Sequence, residues 1–241
     1  MVNSVGSRLL SLLLPSTCAL CGLPSRQDLP LCNGCKADLH RNTVSCVACA
    51  IPLPPSAMRS TPQRCGRCLQ QPPPFTRACV PWLYDAQLAH LIHRWKFNGE
   101  RHLSRLFARL WTEAARLEDR ADVVVPVPLH WRRHWQRGYN QAELLARGVC
   151  HHRPQLGPVD CQLLKRSRKT GAQSSMNAEQ RKANLKTAFT TLRPCDNLHI
   201  ALVDDVMTTG ATAASAATAL LDAGARRVDL WCLARTPAPN L

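Results

Sequence analysis

Beyond residue 75 the chain alternates short apolar runs with longer amphipathic stretches. Cys79 to Tyr84 predicts a strand and Gln87 to Phe97 a helix, which Asn98-Gly99 breaks before a second helix from about Arg101 to Leu117. Asp122 to Val127 predicts an apolar strand closed by Pro126 and Pro128, Gly138 to Cys150 a helix, and Val159 to Leu164 a short strand. His199 to Val203 is the next strand. An Ala-rich helix, Ala211 to Ala223, follows it and stops at Gly224, and Val228 to Ala234 closes the series. Strands alternating with helices predict a parallel sheet flanked by helices, in which ligands bind at the carboxyl ends of strands.

The first 74 residues have a different texture. Eight of the chain's 13 cysteines form four C-x-x-C pairs there: Cys18/Cys21, Cys32/Cys35, Cys46/Cys49 and Cys65/Cys68. A C-x-x-C turn presents two thiolates to one tetrahedral ion, and two such knuckles complete a four-thiolate zinc shell. Four knuckles with no βαβ pattern around them predict two structural zincs, against the alternative of a disulfide framework in a secreted protein. Short loops close at less entropic cost than long ones, so neighbouring knuckles should share a metal, Cys18/Cys21 with Cys32/Cys35 and Cys46/Cys49 with Cys65/Cys68. An interleaved cross-brace is the alternative pairing.

Leu9 to Leu14, interrupted by Ser11, reads as a short amphipathic helix covering this region rather than as a secretory signal, since no small-residue cleavage site follows. No apolar stretch is long enough to span a bilayer, and a cytoplasmic protein is expected. Pro72-Pro73-Pro74 marks the boundary between a unit at 1–74 and a second at 75–241. The other cysteines, Cys79, Cys150, Cys161, Cys195 and Cys232, are expected to be small apolar residues inside the second unit.

The formal charge is +15, from 31 Lys and Arg against 16 Asp and Glu. Two four-thiolate zinc sites would carry a net −4, leaving the metallated chain near +11. Such an excess favours polyanionic partners: nucleic acid, phosphorylated metabolites or an acidic membrane surface. Residues 129 to 195 concentrate it, with 13 Lys and Arg against Glu143, Asp160 and Glu179.

The candidate chemistry lies at "ALVDDVMTTGAT", residues 201 to 212. Asp204 and Asp205 come where a strand ends, and Thr208 to Thr212 form the turn into the Ala-rich helix. A helix start offers free N–H groups and partial positive charge to a phosphate, threonine hydroxyls add donors, and Gly210 lets the backbone approach closely. The two carboxylates suit sugar hydroxyls or a magnesium ion bridging to further phosphates. The stretch therefore fits a ribose 5-phosphate. Walker-type, dinucleotide-binding and zinc-protease motifs are absent.

Val203 to Thr212 resembles the phosphoribosyl pyrophosphate (PRPP) loop of type I phosphoribosyltransferases. Together with "CGRCLQQPPPF", "LIHRWKF", "PVPLHWRRHWQRGYNQAELLA" and "QRKANLKTAF", and with the four knuckles, the chain resembles the ComF family, in its GntX-like branch of DNA utilisation proteins. The resemblance implies a double zinc ribbon joined to a phosphoribosyltransferase domain. It implies PRPP and magnesium at Val203, Asp204, Asp205, Met207, Thr208, Thr209, Gly210, Ala211 and Thr212, with Asp204 and Asp205 as the catalytic pair.

The same resemblance implies a pyrophosphate loop at Pro126 to Leu129, followed by Arg132, Arg133 and Arg137. It also implies a mobile hood at 165–186 carrying Lys165, Arg166, Arg168, Lys169, Arg181, Lys182 and Lys186. Two functions stay open. One is a phosphoribosyltransferase acting on an unknown acceptor. The other is a non-catalytic PRPP-sensing adaptor that handles single-stranded DNA beside a translocating helicase. Trp131, Trp135 and Tyr139 are either base stackers or core residues.

Overall fold

The computed structural model describes residues 17–25, 29–57, 63–115, 117, 120–166 and 188–237. The apolar stretch at 9–14 and most of the expected hood, including Arg168, Lys169, Arg181, Lys182 and Lys186, lie outside the described residues.

The central sheet is wholly parallel. Its order is β1 (Arg77–Cys79), β7 (Arg227–Arg235), β6 (His199–Met207) and β3 (Val123–Pro126), with β2 (Trp82–Leu83) also paired to β7. Apolar side chains alternate between its two faces, as the two-residue strand period requires. Val124, Ala201, Val203, Trp231 and Leu233 face one core, which is filled by α3 (Ala86–Phe97), α4 (Leu103–Ala114) and α6 (Gln141–His152). Val123, Val125, Ile200, Leu202, Val228 and Leu230 face the other, under α7 (Ala211–Asp222). Helices on both faces of a parallel sheet are the expected fold class, and burial on both faces explains why β6 and β7 read as continuous apolar runs.

Several boundaries differ from those the pattern predicts. The expected strand from Cys79 to Tyr84 is split into β1 and β2 around Val80-Pro81, because Pro81 has no N–H for the ladder. The expected helix from Gly138 is two helices. Gly138, at φ 73°, ends α5 (Trp131–Arg137), and the Asn140 side chain accepts from the Ala142 N–H to start α6. Val159 to Leu164 is not a strand. Val159 makes one isolated bridge to Val124, and the Asp160 carboxylate accepts from the Gln162 and Leu163 N–H groups, both at 2.9 Å, which turns the chain. The strand there is β4 (Leu164–Arg166), antiparallel to β5 (Phe189–Thr191). Most consequential for function, β6 runs past Val203 and pairs with β7 as far as Met207↔Arg235.

The knuckles sit directly on this body, with short helices at α1 (Asn33–Ala37) and α2 (Gly66–Gln70). Cys18, Leu31 and Leu39 join the core of α3 and α4. Lys36 pairs with Glu113 at 2.7 Å, His40 Nδ1 lies 2.6 Å from Asp85 Oδ2, and the Arg41 guanidinium stacks over Trp82. The Val47 carbonyl accepts from the Ala78 N–H at 3.0 Å, next to the second pair of knuckles. Among the described residues no helix is long and apolar enough to cross a membrane.

Candidate functional site

Two groups of cysteines come together, Cys18, Cys21, Cys32 and Cys35 in one and Cys46, Cys49, Cys65 and Cys68 in the other. Neighbouring knuckles are paired, as loop closure favours. Within each group all four Sγ atoms lie within 4.8 Å of one another. Cys21 and Cys32 are 3.8 Å apart, and Cys49 and Cys65 are 3.7 Å apart. A tetrahedral ion with Zn–S bonds of about 2.3 Å spaces its sulfurs by about 3.8 Å, so both groups fit zinc. Local hydrogen bonding already favours thiolate in part of each group. The Cys49 thiol holds Cys46 down to about 4 against the penalty of burial. Burial pushes Cys18 up, but hydrogen bonds from the Cys21 and Cys32 N–H groups bring it down to about 6. Of the other cysteines, Cys195 and Cys232 are buried as expected, whereas Cys79, Cys150 and Cys161 are only partly so.

The second centre is the carboxyl end of β6. Because the strand continues to Met207, Asp204 and Asp205 stand inside the paired edge rather than after it, with Asp204 opposite Cys232. The Asp204 carboxylate accepts from the Asp205 N–H at 2.8 Å, and Asp205 accepts from the Val206 N–H at 2.6 Å. Lys96, in the last turn of α3, places Nζ 2.7 Å from Asp205 Oδ2. Asp204 has no described cation at ion-pair distance. Burial first, and then the neighbouring Asp205 charge, push its carboxyl up to about 7.

Past Met207 the chain turns through Thr208 and Thr209 into Gly210, whose φ of 80° is the left-handed conformation that glycine adopts without cost. A Cβ at Gly210 would lie 2.8 Å from Met207 Cε. Gly210 caps α7 without a side chain, and the Thr209 hydroxyl accepts from the Ala211 N–H at 3.3 Å, leaving the Thr212 and Ala213 N–H groups for a ligand or water. Asp204, Met207, Thr208, Gly210 and Thr212 line a small cavity of about 40 Å³ at this turn, with Cys232 as its floor.

Basic groups from three other elements converge on the acidic pair. Arg137 is desolvated and held by Asp205, with its guanidinium over the Phe97 ring at 4.9 Å and a 3.2 Å bond to Gln141. Arg166, from β4, is pushed down by burial and by Arg133 and held up by Asp204. Lys96, Arg137 and Arg166 therefore act on the two carboxylates, with exposed Arg133 close to the two arginines, and this excess of positive charge favours a further anion. The Pro126 to Leu129 loop adjoins this end of the sheet, with Pro126 opposite Val203 and the Val127 N–H bonded to the Val203 carbonyl at 2.8 Å. Arg132 is not drawn in. It lies on the exposed face of α5, stacked on Trp131. Tyr139 is core, its hydroxyl donating to the Trp95 carbonyl, whereas Trp131 and Trp135 are 50% and 82% exposed.

A double zinc ribbon domain is matched at residues 9–71. Over 233 residues the chain is 38% identical to the DNA utilization protein YhgH of Salmonella typhimurium, covering 93% of this chain and 99% of that protein. The chain belongs to the ComF family of DNA utilization and competence proteins. Competence protein F of Haemophilus influenzae is 33% identical over 216 residues, covering 85% of this chain and 90% of that one. Among solved structures, the glutamine PRPP amidotransferase of B. subtilis is similar at 20% identity and a TM-score of 0.37, over 58% of this chain and 26% of that one.

Two residues of this centre carry little signal in the sequence. Lys96 sits inside "LIHRWKF", more than a hundred residues before the acids it meets, and only its place in the last helical turn hints at a role. Arg235 reads as an ordinary strand end. In the fold it is 5% exposed and donates to the Met207 and Thr208 carbonyls at 3.0 and 2.5 Å.

Proposed function

We propose that the carboxyl end of β6 binds PRPP with magnesium and that the chain is a phosphoribosyltransferase for an acceptor still to be found, serving the uptake or use of external DNA. The observation that carries this reading is the junction of Asp204 and Asp205 with the start of α7, where the Thr212 and Ala213 N–H groups stay open, beside Lys96, Arg137 and Arg166. Thr208 to Thr212 would hold the 5-phosphate. Asp204 and Asp205 would take the ring hydroxyls or the magnesium, and their carboxylate oxygens are the donors that ion prefers. Magnesium, when bound, supplies positive charge to the departing pyrophosphate. Lys96, Arg133, Arg137 and Arg166 do the same work from the protein side, stabilising the charge that collects on the pyrophosphate as its bond to the sugar lengthens. The thiolate quartets, which need reducing surroundings to persist, support a cytoplasmic site of action.

The decisive measurement pairs binding with turnover. PRPP with magnesium should raise the melting temperature, since a ligand that binds only the native state stabilises it. Asp204→Asn combined with Asp205→Asn should abolish the shift while two zincs per chain remain; an unchanged shift refutes the assignment. Labelled PRPP incubated with a panel of bases and nucleotides should then release pyrophosphate only when the right acceptor is present.

A second reading is favoured by one observation, the exposure of Trp131 and Trp135 beside Arg132 and Arg133 on α5. Stacking rings interleaved with basic groups suit single-stranded DNA. On this reading PRPP is sensed rather than consumed, and the protein is an adaptor beside a DNA-translocating helicase. PRPP binding without acceptor-dependent turnover, together with retention of single-stranded DNA, selects it.

A further inference from the structure

One buried side chain joins the start of the Thr208–Thr212 turn to the second cysteine quartet by hydrogen bonds. Arg235, at the end of β7, reaches in two directions. Its Nε donates to the Cys49 carbonyl at 3.0 Å, while Nη1 donates to the carbonyls of Met207, Thr208 and Thr236 at 3.0, 2.5 and 2.7 Å. The guanidinium is buried, and a buried charge of this kind is retained only where carbonyls satisfy it. Cys49 is one of the four thiols of the second quartet, and its neighbours are held in turn. The Ala50 N–H bonds the Cys46 carbonyl at 2.7 Å, the Cys46 N–H bonds the Ile51 carbonyl at 2.9 Å, and the Asn42 amide bonds the Ala50 carbonyl at 2.9 Å. Ala50 itself has a φ of 51°, a left-handed turn costly for alanine that these bonds hold in place. On the other side of the guanidinium, Met207 and Thr208 are the residues from which the phosphate turn departs.

We propose that Arg235 is a positioning residue that couples the second cysteine quartet to the Thr208–Thr212 turn, so that filling the quartet with metal sharpens the turn for a phosphate-bearing ligand. The ligand identity rests on the PRPP reading above; the coupling itself does not. Loss of the metal frees the Cys46–Cys49 knuckle, the Cys49 carbonyl moves off Nε, and the Met207 and Thr208 carbonyls lose a fixed partner. A cavity of about 240 Å³ lies beside this link, lined by Cys49, Arg67 and Gln71 and by Thr209 and Ala211, while Ala50 and Met207 share one apolar core, so the hydrogen-bonded path through Arg235 acts alongside packing.

The test uses the full zinc-loaded chain and two readouts, residue-resolved amide exchange and PRPP–magnesium affinity by calorimetry. Exchange is followed at Ala214 and Thr236, whose N–H groups bond the Gly210 and Met207 carbonyls, and at Cys46 and Ala50 in the knuckle. Arg235→Lys keeps the charge but has no fork to span both carbonyl sets. It should keep two zincs, speed exchange at Cys46 and Ala50 as well as at Ala214 and Thr236, and weaken PRPP roughly tenfold, the size of a coupling near 1.4 kcal/mol. Cys65→Ser with Cys68→Ser, which empties the second quartet alone, should do the same, and the triple variant should be no worse than the poorer parent. Additive losses, or an Arg235→Lys protein with wild-type exchange and affinity, overturn the coupling. If the wild-type protein binds no PRPP, the PRPP reading fails and the exchange arm still decides the coupling. Should the cysteine variant not fold, Arg235→Lys decides alone. Faster exchange at Cys46 and Ala50 together with Ala214 and Thr236 supports the link, and a change confined to Ala214 and Thr236 overturns it.

Discussion

The two ends of the central sheet treat buried acid in opposite ways. At the amino ends of β6 and β7, Asp229 is 2% exposed and fully answered. Arg227 Nε and Nη2 reach its two oxygens at 2.9 Å, Arg77 stands at 3.4 Å, and His199 Nε2 at 3.1 Å. His199 is anchored in turn by the Arg120 carbonyl, and its own N–H by Asp122. At the carboxyl ends the acids stand side by side. Asp205 has Lys96, but Asp204 is pushed up to about 7 by burial and then by the charge of its neighbour. One network closes on itself and joins strands. The other sets two adjacent acids beside a helix start whose Thr212 and Ala213 N–H groups are open, an electrostatic setting that suits the metal and anion proposed above.

The largest expected effect lies at the closed end. Asp229→Ala removes the buried acceptor shared by Arg77, Arg227 and His199 and should cost about 3–5 kcal/mol in urea unfolding. A loss below ~1 kcal/mol would erase the distinction between the two ends. Next comes Gly210→Val, which forces a β-branched residue into a left-handed turn against Met207 Cε. It should cost roughly 1–3 kcal/mol and abolish the PRPP-dependent rise in melting temperature. Retained PRPP binding would mean that the ligand does not use this turn.

Asp204 sharpens the comparison through pH. Its native carboxyl is raised above the ordinary value of 3.8, so the native state holds the proton more tightly than the unfolded chain. That contribution is fully present below pH 3.8 and is lost as pH rises through about 7. Asp204→Asn, neutral throughout, should therefore match wild type at low pH and melt several degrees higher at about pH 8 in magnesium-free buffer, where ~1 kcal/mol is worth ~2–4 °C. Equal melting temperatures across the range would show that the site does not strain this acid. The smallest effect on stability belongs to α5. Arg132→Ala with Arg133→Ala should shift unfolding by less than ~0.5 kcal/mol. If α5 binds single-stranded DNA, the same pair should flatten the log–log salt slope by about 1.4.

Much of the fold and of both centres is legible in the order of residues alone. The C-x-x-C spacing implies two quartets and their pairing, because four thiols confined to short loops can meet in few ways. The run of apolar residues into Asp204, Asp205 and Thr208 to Thr212 places a strand end and a helix start. Boundaries are less legible where a local side-chain bond overrides the pattern, as at Asp160, or where one residue lacks a donor, as at Pro81. Trp131, Trp135 and Tyr139 look alike as sequence, yet the first two face solvent and the third is buried.

Local sequence thus determined what could be decided by neighbours along the chain: the cysteine knuckles, the strand-to-helix turn at Thr208 to Thr212, and the alternation of strands and helices that makes the sheet parallel. Tertiary structure alone decided which distant charges meet. Lys96 reaches Asp205 from more than a hundred residues away, Arg77 and His199 close on Asp229, and Arg235 holds Met207 while reaching Cys49 across 186 residues. The physical reason is that side-chain charge acts over a few ångströms of space whatever the separation in sequence, and only the folded sheet brings those ends within that reach.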